Sequence, residues 1–209
     1  INNGDKFFKT AMKVSKKKPI IALKGGLTNE GQKATLSHTG ALAGNKDIYF
    51  GIFKQTGIIR AESLEEMFNI ASLFEKGIHF SGNRLLVITN GGGYGIISAD
   101  NISNSINLEL AELGQETAEI LRNSFPSTVN VRNPLDLVGD ATTERYKIAL
   151  ENCIKDKNVD GILLIALYQT PLITTDIVEV ISEMHSETRK PIIVVSTGGE
   201  FTEVLSENL

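Results

Sequence analysis

Apolar positions along the chain alternate between helical spacing and short unbroken runs. From Asp5 to Ser15, the residues Phe7, Phe8, Ala11, Met12 and Val14 recur at roughly helical spacing, which predicts an amphipathic helix. Pro19 to Leu23 reads as a buried strand. Gly25 to Leu36 is polar and contains glycine, and it predicts a loop. Ser37-His38-Thr39-Gly40 then leads into a second helical stretch, Ala41 to Thr56, and Gly57 to Arg60 is a short strand. Ser63 and Glu66 form a capping box that starts a helix running to about Lys76.

Ser81-Gly82-Asn83 marks the domain boundary. Beyond it the pattern restarts with a buried strand, Arg84 to Thr89, a glycine run, and a helix from Ile96 to Ser105. Leu108 to Leu110 suits a short strand, and Gln115 to Asn123 a helix that stops before Pro126. Thr143 to Lys155 predicts a helix capped by Thr142 or Thr143, and Val159 to Leu167 a strand. Thr175 to Ser186 is helical, Pro191 to Ser196 a strand, and a further helix opens at Gly199. Alternating helices and short apolar strands predict α/β units of flavodoxin-like type, with parallel sheets covered on both faces. Residues 1–80 form an incomplete first unit, because two strands rarely make an independent sheet, and residues 81–209 form the second.

Composition narrows the classes. The 209 residues are 41% apolar and 22% charged, enough to bury a core. The single cysteine, Cys153, excludes a disulfide framework and reads as inert core in a reducing, cytoplasmic setting. The longest apolar run, Gly161 to Tyr168, is too short to cross a membrane, so no membrane partner is expected. A net charge of −4 argues against a general nucleic-acid binder. The charge is uneven: residues 1–80 carry 12 Lys and Arg against 7 Asp and Glu, and residues 81–209 carry 9 against 18. Either chance and the run Lys16-Lys17-Lys18 explain this, or two modules meet different partners, the first of them anionic. The chain starts at Ile1 and stops at Leu209 inside a helical pattern, so a longer parent is expected.

Two elements suit chemistry. Thr89-Asn90-Gly91-Gly92-Gly93-Tyr94-Gly95 joins a strand to a helix, where unpaired N–H groups and the positive end of the helix dipole favour an anion. No Lys-Ser/Thr follows, so it is not a P-loop, and Ile96 stands where a dinucleotide fingerprint has its last glycine. A tight turn that binds nothing gives the same spacing. Ser37-His38-Thr39-Gly40-Ala41-Leu42-Ala43-Gly44 sets a histidine among small residues, with Ser37 or Thr39 able to cap the following helix. His38 suits acid–base or nucleophilic work, or only a local hydrogen bond. No acid, cysteine or second histidine lies at metal spacing from it, so no metal site is expected. His79 and His185 read as ordinary surface or helix-end residues. Asp136 suits ligand binding and turn stabilisation equally.

The Ser37–Gly44 element after Lys24-Gly25-Gly26, the Asn90–Gly95 run, and Arg132-Asn133-Pro134-Leu135-Asp136-Leu137 occur in the order seen in one family. Over essentially its whole length the chain resembles the alpha part of the ADP-forming acyl-CoA synthetases, relatives of succinyl-CoA synthetase. The resemblance implies that His38 carries a phosphoryl group during the conversion of acyl-CoA, ADP and phosphate to acid, CoA and ATP. It implies that Ser37, Thr39, Gly40, Asn90, Gly91, Gly92 and Gly93 contact phosphate, and that magnesium acts at the nucleotide step outside this chain. CoA, ADP or ATP, and phosphate are implied as substrates, with no permanently bound cofactor. The family also has a CoA-binding domain, an ATP-grasp domain and an acid that orients the histidine. None of these is found in this sequence, so this chain is expected to be a piece of a larger, oligomeric enzyme. Two rivals keep the architecture: an acyl-CoA-sensing regulatory module of an acyltransferase, which would not need His38, and a non-catalytic anion-binding module.

Overall fold

A computed structural model describes residues 1, 3–39, 44–75, 77, 78, 80–200, 202 and 204, with backbone alone at positions 38 and 39. The chain divides into two units, Ile1–Ile78 and His79–Leu209. No helix among the described residues is long and apolar enough to cross a membrane.

The first unit opens with α1 (Gly4–Ser15), whose start is capped by Asn3, accepting from the Lys6 N–H at 2.9 Å. Ala11 on its inner face packs with Phe53 and Ile58 to make a small core, flanked by Phe7, Ile20, Ala22, Tyr49 and Phe50. Strand β1 (Ile21–Leu23) pairs in parallel with β2 (Ile59–Ala61), Ala22 facing Arg60. Between them run α2 (Asn29–Thr39) and α3 (Lys46–Thr56). Helix α3 is capped by Asn45, which accepts from the Asp47 N–H at 2.8 Å, and stopped by Gly57 at φ +72°. Helix α4 (Leu64–Glu75) follows; Ser63 Oγ accepts from the Glu66 N–H at 3.1 Å, and Glu66 reaches back to the Glu62 N–H at 2.6 Å.

Helix α2 corrects the loop expected over residues 25–36. Thr28 Oγ1 accepts from the Gly31 N–H at 3.1 Å, Glu30 lies in the first turn, and Lys33 and Ala34 favour a helix. Gly31 is a packing glycine inside that helix. A Cβ there would lie 3.2 Å from Gly26 Cα, so the helix start folds closely over the preceding turn. The helix expected over residues 41–56 is described from Lys46 onward, and 41–43 lie outside the described residues.

The second unit is a parallel sheet in the order β4-β3-β6-β7, with β5 also against β3. Its strands are β3 (Arg84–Thr89), β4 (Glu109–Leu110), β5 (Leu135–Asp136), β6 (Gly161–Ile165) and β7 (Ile192–Val195). Helices α5 (Gly92–Ser103), α6 (Gln115–Ser124), α7 (Thr143–Cys153) and α8 (Ile177–Glu187) connect them. β4 takes the first half of one edge of β3 and β5 the second half, with Leu85 opposite Leu110 and Ile88 opposite Leu135. Leu86, Val87 and Ile88 are fully buried, which is why β3 reads as an unbroken apolar run. The expected α/β class with parallel sheets is what the chain adopts.

At the start of β3, Arg84 grips Asp160 through Nε at 2.8 Å and Nη2 at 2.9 Å, while the Arg84 N–H donates to the same carboxylate at 3.0 Å. The guanidinium bonds hold the Asp160 carboxyl down at about 2. Cys153 is fully buried, and burial pushes its thiol up to about 12, so it stays protonated and inert as expected.

Candidate functional site

The carboxyl ends of β3, β5, β6 and β7 carry the loops of one edge of the second unit. In an open α/β sheet a ligand sits at this edge, where the strand order reverses, here between β3 and β6. The glycine run lies at that point. Helix α5 begins inside it, at Gly92 rather than at the expected Ile96, because Gly91 is extended (φ −122°, ψ 94°) and acts as the cap residue. Gly91 has no side chain to cap the helix. Among the described residues the N–H groups of Gly92 and Gly93 have no hydrogen-bond acceptor, whereas those of Tyr94 and Gly95 reach back to Gly91 O at 3.0 and 3.2 Å. Two free amides at the positive end of a helix dipole are what an anion needs.

The three glycines differ. A Cβ at Gly91 would lie 2.7 Å from Leu167 Cδ1, so a side chain there would make Leu167 shift. A Cβ at Gly92 would lie 2.7 Å from Asp136 Oδ2. A Cβ at Gly93 would meet nothing within 4 Å. None has a positive φ, so close approach, and not backbone freedom, is what these positions offer.

The surrounding side chains hold the loop. Asn90 is almost wholly buried, and its carboxamide accepts from the Leu167 N–H at 2.9 Å and donates to Thr170 Oγ1 at 3.0 Å. Its side chain thus ties the β3 end to the loop after β6 and is already occupied. Tyr94 Oη and Thr197 Oγ1 lie 3.2 Å apart, linking α5 to the loop after β7. Tyr146 Oη donates to Ile165 O at 3.0 Å, and burial pushes this phenol up. Tyr168 Oη is buried and has no hydrogen-bond partner among the described residues, and burial raises its pKa too.

The Asn-Pro-Leu-Asp element is structural at its first residue. Asn133 Oδ1 accepts from the Val87 N–H at 3.0 Å, and its Nδ2 donates to Leu85 O at 2.8 Å and Ala111 O at 3.0 Å. It fills the gap where β3 exchanges β4 for β5. Asp136 Oδ1 accepts from the Val138 N–H at 2.9 Å, the turn-stabilising role, and Val138 has φ +59°. Arg145 steadies the next stretch, with Nη1 2.7 Å from both Leu137 O and Asp140 Oδ1. Neither Asn133 nor Arg145 is legible as a positioning residue in the sequence, since their partners lie far along the chain or in a loop without pattern.

Ser37 and His38 fall in the last turn of α2, and Thr39 ends it. The expectation that Ser37 or Thr39 caps a following helix is corrected for Ser37. This residue lies within a helix, and its Oγ donates back to Lys33 O at 3.2 Å. The side chains of His38 and Thr39, and Gly40 as a whole, lie outside the described residues. No cluster of three or more His, Cys, Asp or Glu among the described residues could hold a metal.

A flavodoxin-like unit with free helix-start amides at its strand-order reversal has the α/β architecture in which ligands sit at that point. Residues 1–74 match the succinyl-CoA ligase like flavodoxin domain. The alpha subunit of an ADP-forming acetate–CoA ligase II from Pyrococcus furiosus is 37% identical over the whole of this chain and 46% of its own length. An ADP-forming acetate–CoA ligase from Methanocaldococcus jannaschii is 48% identical over 66% of this chain and 20% of its own. Among solved structures, a dinucleotide-forming acetyl-coenzyme A synthetase 1 from Ca. Korarchaeum cryptofilum, in complex with phosphate and ADP, superposes with a TM-score of 0.85 at 31% identity, over 98% of this chain and 44% of that one. Over its whole length the chain is similar to alpha subunits of ADP-forming acetate–CoA ligases, and it spans less than half the length of these relatives.

Proposed function

We infer that this chain is the phosphohistidine-bearing stretch of an ADP-forming acyl-CoA synthetase. The observation that carries the reading is the end-to-end alignment with an acetate–CoA ligase alpha subunit at 37% identity, in a chain that retains the Ser37–Gly44 element. Phosphate attacks the acyl-CoA carbonyl and expels CoA, leaving an acyl phosphate. A neutral His38 ring nitrogen then attacks phosphorus, the P–O bond to the acyl group breaks, and the carboxylate departs. ADP takes the phosphoryl group from the N–P bond and regenerates His38. The covalent carrier splits one hard transfer into two easier ones, and each transfer depends on positioning and charge neutralisation.

The Gly92 and Gly93 amides are suited to phosphate oxygens and ask nothing of the acyl chain. Ser37, Thr39 and Gly40 complete the histidine loop in this reading, and Asn90 contributes by fixing the glycine run. Magnesium supplies charge neutralisation at the nucleotide step, outside this chain. A CoA-binding domain and an ATP-grasp domain or subunit are the partners, in an oligomeric cytoplasmic enzyme. The test is ATP formation from acyl-CoA, ADP and phosphate by the whole synthetase. His38→Asn should lower turnover by about 1,000-fold or more while the protein stays folded. Turnover within about tenfold of the unsubstituted enzyme would overturn the reading.

A further inference from the structure

Apart from the strand-end site, the second unit holds a cavity of about 380 Å³ between Arg122 in the last turn of α6 and Arg132 ahead of β5. Pro126, Val129 and Val131 give it an apolar lining, and Ser127 and Asn130 add a hydroxyl and a carboxamide. It shares no residue with the glycine run. The two arginines stand out by lining one cavity without partners. Arg60, Arg84 and Arg145 each rest on a carboxylate, whereas among the described residues Arg122, Arg132 and Arg189 have no ion-pair or side-chain hydrogen-bond partner, and of these three Arg122 and Arg132 line one cavity. The setting is otherwise acidic, with 9 Lys and Arg against 18 Asp and Glu over residues 81–209. Two unneutralised cations lining one cavity repel each other, and a shared anion reverses the sign of that interaction.

The frame is fixed before any ligand arrives. Val129 and Val131 are buried in the main core, and the Val129 N–H closes a turn onto Pro126 O at 2.9 Å. Asn130 bridges to Asp136 in antiparallel fashion, and the Arg132 N–H donates to Asn130 O at 2.8 Å. Alternation therefore sends 129 and 131 inward and leaves 130 and 132 to line the opening. The volume lies at the small end of ligand pockets, room for one phosphate and a ring-sized body. Guanidinium forks match phosphate oxygens two at a time.

We propose that this cavity binds a small organic phosphate monoester. The phosphate is held between Arg122 and Arg132, and the organic body lies on Pro126 beside Ser127. The probe is ribose 5-phosphate, titrated into the protein while the arginine Nε–Hε signals and the backbone amides are followed by NMR. Saturable shifts of the Arg122 and Arg132 signals are expected. The R122Q/R132Q variant should bind about tenfold more weakly or worse, and R189Q should bind unchanged. Inorganic phosphate and ribose, tested separately, should each move these two signals less. Shifts confined to the Gly91–Tyr94 amides, a double variant that binds like the unsubstituted protein, or equal binding of ribose would each overturn the proposal. The readout does not involve His38, so failure of the synthetase reading would leave it standing.

Discussion

A single methyl group added at Gly92 or at Gly93 separates what the fold needs from what a ligand needs. At Gly93 the new Cβ meets nothing within 4 Å. Replacing a helical glycine by alanine there should stabilise the fold by about 0.5–1 kcal/mol, through lost freedom in the unfolded chain. For a chain of this size that is a rise of about 1–4 °C in Tm. At Gly92 the Cβ would sit 2.7 Å from Asp136 Oδ2 and forces the carboxylate to turn. Turning it breaks the 2.9 Å bond that fixes Val138 at φ +59°. A lost hydrogen bond costs about 1 kcal/mol and offsets the gain from replacing a helical glycine, so Gly92→Ala should be about 1 kcal/mol less stable than Gly93→Ala. Phosphate affinity should behave differently, since a methyl at Gly93 stands where an oxyanion would approach the amide. Gly93→Ala should therefore lose about tenfold in phosphate affinity, roughly 1.4 kcal/mol, while melting higher. Thermal scans and calorimetric phosphate titration on both variants give the comparison. A stabilised Gly93→Ala protein with unchanged phosphate affinity would reduce the run to a plain turn. Equal stability of the two variants would refute the role given to Asp136.

Other outcomes follow from the same contacts. Asn133→Ala leaves the Val87 N–H and the Leu85 and Ala111 carbonyls unpaired, so urea unfolding should show a loss of about 3 kcal/mol, and a loss under about 1 kcal/mol would contradict its bridging role. Asp160, held at about 2 when folded against an ordinary 3.8, contributes stability above pH 4 that disappears as the pH falls toward 2. Asp160→Asn should flatten that part of the stability–pH curve, and an unchanged slope would show that the Arg84 pairing does not govern it.

Much of the second unit was legible because burial on both faces leaves an unmistakable apolar run, as at Arg84–Thr89, and because Thr142 does cap its helix, accepting from the Arg145 N–H at 3.1 Å. Glycine masks two helices in the sequence. Gly31 sits inside α2 where the chain packs closely over Gly26, and Gly92 and Gly93 are the first residues of α5. The two-residue strand Leu135–Asp136 carries no periodicity, being set by its register on β3 and by Asn133, whose partners lie 22 to 48 residues away. The histidine element was legible as a motif, but its position at the end of one helix, not the start of the next, follows from Thr28 capping far upstream.

The most direct test of the account is to find where the phosphoryl group goes. The whole synthetase is incubated with γ-labelled ATP, digested and mapped under alkaline conditions, because phosphohistidine is acid-labile. The account predicts one labelled peptide containing Ser37-His38-Thr39, discharged by ADP and absent from His38→Ala protein. Label retained in that variant, or found on the peptide carrying His79 or His185, would contradict it.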